Sequence, residues 1–365
     1  MKNRGNKLLL GFLVFSLLIL LVSIFYTEDP SVDLREEKVD KEDPLVSSSE
    51  EKVDKENPPS GLGEEKVDKE NPPTGLSEGL LNMNPNPILD HPSAGRRTVG
   101  QRKISLDSYD LKVETATHWK LPGRRLEEIS GLAMTLDDRL LAHNDEKAVI
   151  YEIDYRKGEI IKAFQLADMK APVNGDFEGI ATVKDRVYLV TSSGRIFEGS
   201  RGADGESVLY NIYATGVGTD YEIEGLAYDA SQRVLLLMCK SPRREELKEQ
   251  LVIYRWSTDE KQLIEDAHIV IPVIEFTRHI DGKEFQPSGI ERHPVSGNYF
   301  VIAARQKAIA EITPSGQVVA TKRFPAEWHR QPEGITFAVD GTLIVADEGS
   351  GKKARLTLYP VSENR

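Results

Sequence analysis

One cysteine in 365 residues, Cys239, rules out an intramolecular disulfide, so oxidation does not staple this chain in whatever compartment holds it. Because it follows the apolar run Val234 to Met238, that thiol is expected in a core rather than at a redox centre. The short motifs of common catalysis are missing as well. There is no His-Glu-x-x-His zinc pair, no Gly-x-Ser-x-Gly nucleophile turn and no Gly-rich phosphate loop. His143, His279, His293 and His329 are scattered rather than clustered. Nor is there a concentration of positive charge, since the net charge is −12. Nothing suggests a nucleic-acid surface.

That negative charge is unevenly spread. Residues 27–77 carry 16 acids against 7 bases, and the first 26 residues carry three bases and no acid. More than half of the net acidity after the N-terminus therefore belongs to a short stretch and says little about a folded domain.

The one long apolar run, residues 8–26, contains 19 positions without a charge, enough to span a bilayer. Lys2, Arg4 and Lys7 precede it and Glu28 and Asp29 follow, which orients the N-terminus inwards and the rest of the chain outwards. A cleaved signal peptide is the alternative, but the run exceeds a usual signal core and no small-x-small site follows. The expectation for 1–26 is a cytoplasmic tail and a single-pass transmembrane helix in the cytoplasmic (inner) membrane, with the remainder on the periplasmic or extracellular side. Residues 27–103 contain three copies of a 14-residue unit that opens EEKVDKE and carries proline shortly after it. So few large apolar groups cannot offset the entropy of ordering, and the Pro-Pro pairs interrupt any helix, so a disordered acidic linker is expected.

From about residue 104 short β-type runs alternate with turn residues. Five times a glycine is approached in the same way: Ile129-Ser130-Gly131, Phe177-Glu178-Gly179, Ile223-Glu224-Gly225, Pro287-Ser288-Gly289 and Pro332-Glu333-Gly334. The glycines are 48, 46, 64 and 45 residues apart. A period of about 40–50 residues is that of a β-propeller blade, so 104–365 reads as an all-β, five-bladed β-propeller with each glycine turn opening an inner strand. The last repeat offers only three strands, Gly334 to Ala338, Leu343 to Ala346 and Arg355 to Tyr359. Its fourth is expected from Tyr109 to Trp119, closing the ring.

Inner strands begin and second strands end on one face of such a ring. Ser130, Glu178, Glu224, Ser288 and Glu333 should therefore ring one mouth of the central channel, with Asn144, Arg305, Asp347 and Glu348 on the same rim. Three carboxylates around a shared opening repel one another unless a cation or protons neutralise them, and hard oxygen ligands suit Ca²⁺. Glu178, Glu224 and Glu333 are thus candidate calcium ligands; Ser130, Asn144, Ser288, Arg305, Asp347 and Glu348 are candidate ligand contacts. The competing reading has each glutamate capping its own blade through backbone amides. His143 is the histidine near the mouth, either a base or a hydrogen-bonded structural residue.

Laid out in this order, the five pre-glycine motifs and the N-terminal anchor resemble the SdiA-regulated (YjiK-type) family of bacterial membrane-anchored propellers, distantly similar to NHL-repeat propellers. The resemblance covers roughly residues 104–360 and implies five blades and a calcium site, transferred most directly to Glu178, Glu224 and Glu333. It implies no particular activity. A weaker likeness is to six-bladed calcium-dependent lactonases and esterases, whose calcium ligands Glu178, Glu224, Glu333 and Asn144 could imitate. Two functions follow: a calcium-binding module that recognises a protein or small molecule at the channel mouth, or a hydrolase using a mouth-bound metal. A scaffold that works through the propeller's sides is a third.

Overall fold

The computed structural model describes residues 104–169, 171–242 and 247–362. The expected membrane span, the linker repeats and residues 243–246 lie outside them. No helix among the described residues is long and apolar enough to cross a membrane.

Five antiparallel sheets follow one another in chain order, and each is a blade. The first runs Ile129–Met134, Leu140–Asn144, Val149–Asp154 and Glu159–Asp168; the second Phe177–Val183, Arg186–Thr191, Arg195–Ser200 and Tyr210–Ala214. The third comprises Tyr221–Asp229, Val234–Pro242 and Gln250–Ser257, whose outer edge pairs with both Gln262–Leu263 and Ile269–Pro272. Gly289–Arg292, Tyr299–Ala303, Ala308–Ile312 and Val318–Arg323 form the fourth. In the fifth, Pro332–Phe337, Leu343–Asp347 and Arg355–Tyr359 are completed by Thr117–Lys120 from the N-terminal side. Ser207–Val208 additionally runs parallel to the outer strand of the first blade and covers its edge.

The second strands read as continuous apolar runs because both of their faces are buried. Side chains alternate along a strand. Leu235 and Leu237 therefore point into a core shared with the second blade, while Leu236 and Met238 enter one shared with the fourth. Likewise Val301 faces the third blade and Phe300 and Ile302 the fifth. One apolar cluster fills each of the five interfaces between blades, that between the fifth and first included. Buried charges bridge the same interfaces. Glu198 of the second blade accepts hydrogen bonds from Tyr188 at 2.7 Å, Tyr213 at 2.9 Å and Lys261 of the third at 2.9 Å. Burial works against its charge, but Lys261 and the two phenols overcome that and hold it down to about 2.

The ring closes as the missing fourth strand requires, over a shorter stretch than Tyr109 to Trp119. Thr117–Lys120 lies antiparallel to Arg355–Tyr359, with His118 opposite Thr357 and Lys120 opposite Arg355. Before it the chain makes single turns at Leu106–Ser108 and Val113–Thr115 and touches Val361 through a lone bridge at Tyr109.

One expectation needs correction. The five repeated glycines do not form turns; they lie within or at the start of inner strands, and none has positive φ. Their smallness serves the neighbouring blade. A Cβ on Gly179 would sit 2.6 Å from the backbone nitrogen of Leu226, one on Gly289 2.8 Å from the carbonyl oxygen of Glu333, and one on Gly334 2.7 Å from the side chain of Leu132. Each inner strand packs directly on the next around the channel, and glycine lets the backbones approach.

Candidate functional site

The residue before each glycine is displayed by a bulge. Pairing between inner and second strands slips between Ile129 and Gly131, Phe177 and Gly179, Ile223 and Leu226, and Pro332 and Gly334. A bulge leaves its extra residue outside the ladder and re-aims its side chain. The side chains so released are Ser130, Glu178, Glu224 and Glu333. In the fourth blade Ser288 precedes the strand, and its amide still bonds the Ile302 carbonyl at 2.9 Å.

These bulges bring the three glutamates within electrostatic reach of one another. Glu178 is pushed up to about 9, by desolvation first and then by Glu224, Asp176 and Glu333. Desolvation and Glu224 lift Glu333 to about 8. Glu291, near the opposite end of the channel, serves as an internal comparison. It is half-buried apart from other acids, accepts hydrogen bonds from its neighbour's amide at 2.7 Å and from Thr336 at 3.1 Å, lies by Arg292, and rises only to about 7. Burial is the first cause at all three; Arg292 helps hold Glu291 lower, whereas neighbouring acids add to the rise at the mouth.

Glu224 differs from the other two because it has a counter-ion. Lys240 Nζ donates to its carboxylate at 2.8 Å, and Glu224, with Glu333 and Glu178 beyond, keeps Lys240 above the ordinary lysine value despite burial. Glu224 is still raised by burial, with Lys240 opposing the rise. Glu178 accepts from Ser130 Oγ at 3.1 Å. Ser288 instead pins two blades together: its hydroxyl donates to the Pro332 carbonyl at 2.7 Å and accepts from the Ala304 amide at 3.1 Å.

The remaining rim residues divide. Arg305 is exposed and lines a cavity of about 320 Å³ together with Lys240, Ser288 and Glu333. Glu348 accepts from the Gln331 amide, and burial together with Asp145, Glu128 and Glu127 raises it. Asn144 donates to the Arg125 carbonyl at 2.8 Å, while its Oδ1 and that of Asp145 are buried without a donor. Asp347 is on this face of the blade but turned inwards: its carboxylate lies 2.7 Å from Nδ1 of buried His329, whose Nε2 meets Tyr359 at 2.7 Å. His143 is fully buried, its Nδ1 2.8 Å from the Asn144 carbonyl, and desolvation lowers it to about 4. It is a neutral structural histidine, withdrawn from any substrate at the mouth.

Were all three ionised, the glutamates and Lys240 would leave an excess of two negative charges for a cation or protons to offset, and the donorless oxygens of Asn144 and Asp145 belong to the same face. The carboxylates are not drawn into a closed ligand shell: among the described residues no three acidic, histidine or cysteine groups are spaced to hold a metal. Strand order alone puts Lys240, at the end of the third blade's second strand, on this rim; its pairing across the strands with Glu222 brings the opposite charge two residues on, Glu224, within its reach.

A five-bladed β-propeller with an acidic channel mouth is thus the class of protein that fold and site define. No protein-family model matches the chain, and no curated protein sequence does. Solved structures resemble it at low identity. Glutaminyl cyclase from Myxococcus xanthus is 14% identical over 68% of this chain and 96% of that one, with a TM-score of 0.46. The PQQ-bound aldose sugar dehydrogenase from Streptomyces coelicolor is 15% identical over 69% and 99%, with a TM-score of 0.45. A protein of unknown function from Bacteroides caccae is 16% identical over 57% of this chain and 64% of that one, with a TM-score of 0.36. No chemistry transfers from them.

Proposed function

We propose that this propeller is a recognition module whose acidic mouth takes up a divalent cation, calcium by its donor chemistry, and binds its ligand there. The observation that supports this most is the elevation of Glu178 and Glu333 beside a Glu224 that Lys240 already neutralises. Glu178 and Glu333 would hold the ion, with Glu224 retained by Lys240. Bound there, calcium would supply the missing positive charge and an open coordination position for an oxygen of the ligand. The resemblance to the SdiA-regulated propellers supports the same assignment.

Elemental analysis and calorimetry test the cation. A ligand present at about a hundred times its dissociation constant stabilises by about 2.7 kcal/mol, so calcium should raise the melting temperature by several degrees at about pH 8. Glu333→Gln should remove most of that rise. An identical melting curve with calcium and after metal stripping, with no metal in the purified protein, would refute the assignment.

We further propose that the charge-free run at 8–26 anchors the propeller outside the cytoplasmic membrane. Its support is the run of 19 uncharged residues with bases before and acids after it. Protease added to intact spheroplasts should release the propeller. Its survival there, with digestion only after lysis, would reverse the orientation.

A further inference from the structure

Charge on the channel face is segregated. Acids crowd the first and second blades, where Asp145 is the main cause of the raised Glu128. On the fourth and fifth blades the sign reverses. Two cavities, of about 320 and 410 Å³, adjoin there and share Arg330. Arg305 and Lys307 line the first, and Lys120, Lys352 and Lys353 the second.

None of these six bases forms an ion pair among the described residues, in a chain whose net charge is −12. Most of the other charges lining the cavities are committed elsewhere: Lys240 is held by Glu224, Arg355 donates to the Trp328 carbonyl at 2.7 Å, Asp347 faces His329 and Glu348 takes the Gln331 amide. Glu333, which also lines the first cavity, is the one acid there outside an ion pair among the described residues, so the six bases outnumber it. Six unpaired cations around two joined hollows repel one another, and an anion relieves the repulsion.

Arg330 is also positioned in advance. The residue before it, His329, is fully buried between Asp347 and Tyr359. The residue after it, Gln331, is tied by its own amide to Asp347 at 3.2 Å and by its side chain to Glu348. The backbone is fixed on both sides while the guanidinium stays exposed, so what remains to be ordered on binding is the side chain's own rotamers.

We propose that this notch binds a polyanionic small molecule, its phosphate or carboxylate groups divided between the two cavities with Arg330 at their junction. The notch does not depend on the cation reading. Titration calorimetry with inorganic tripolyphosphate and with citrate tests it, on full-length protein stripped of metal and dialysed free of chelator at low ionic strength. Without metal, loss of the calcium effect and loss of this site are separate results.

Tripolyphosphate should bind, with affinity falling as salt rises. Arg330→Gln and Arg305→Gln should each weaken it about tenfold or more, the scale of a charge-assisted contact. Lys184→Gln, at the other end of the channel, should change nothing. Citrate binding as well extends the site to carboxylates, and tripolyphosphate alone confines it to phosphates; either outcome supports the notch. Equal binding by wild type and Arg330→Gln, or no binding of either probe to the wild type, overturns it.

Discussion

Removing residues 104–120 should abolish cooperative unfolding of the propeller. The deletion takes away the outer strand of the fifth blade, leaving Arg355–Tyr359 as an open edge. It also removes two pieces of core. Leu106 and Tyr109 are buried among Phe300, Phe337, Leu343 and Tyr359. Burying a large apolar side chain is worth roughly 1.5–3 kcal/mol, so these two alone approach the lower end of the roughly 5–15 kcal/mol that separates folded from unfolded domains. Polar partners are orphaned as well. The buried carboxylate of Glu311 loses the Leu106 amide at 2.7 Å, and His293 and the Gly341 carbonyl lose the Tyr109 hydroxyl at 2.9 and 2.7 Å. Circular dichroism melts and gel filtration of the deleted and intact chains decide the matter. A monomer with an unchanged melting temperature would show that the strand decorates the fifth blade without closing the ring.

That strand could be anticipated because a blade count leaves a remainder: the last repeat held three strands, and one extended segment stood unassigned before the first. What the sequence concealed was which partners come from other blades. The reason for Gly179 is Leu226, and the reason for Gly334 is Leu132, more than two hundred positions earlier in the chain. Read along the chain, both looked like turn glycines. The mouth glutamates were legible because one bulge, repeated in successive blades, puts the same position on the same rim. Asp347 was misleading for the opposite reason. It ends its strand on that rim, but His329 and Tyr359 turn it inwards, and neither pairs with it in the ladder. Arg330 escaped notice because it belongs to no repeat; its setting comes from a loop pinned at His329 and Gln331.

The acidic mouth has a measurable consequence for stability against pH. Glu178 rises from 4.5 to about 9 on folding, so between those values the folded state binds more protons than the unfolded chain. Stability from this group is fully present below about pH 4.5, declines as pH rises and is lost above about 9. Glu333 adds the same trend up to about 8. Raising a pKa by one on folding is worth about 1.36 kcal/mol, and water and salt at the mouth reduce the realised effect, so about 2 kcal/mol is expected from Glu178. Glu178→Gln keeps an oxygen to accept the Ser130 hydroxyl and removes the charge. At about pH 8.5 in metal-free buffer it should melt about 5 °C above the wild type, and near pH 5 the two should coincide. Calcium should narrow the difference at the higher pH by stabilising only the protein that retains the carboxylate. Parallel melting curves for the two proteins from pH 5 to pH 9 would mean that Glu178 ionises without strain, and the electrostatic case for a cation at the mouth would fall with it.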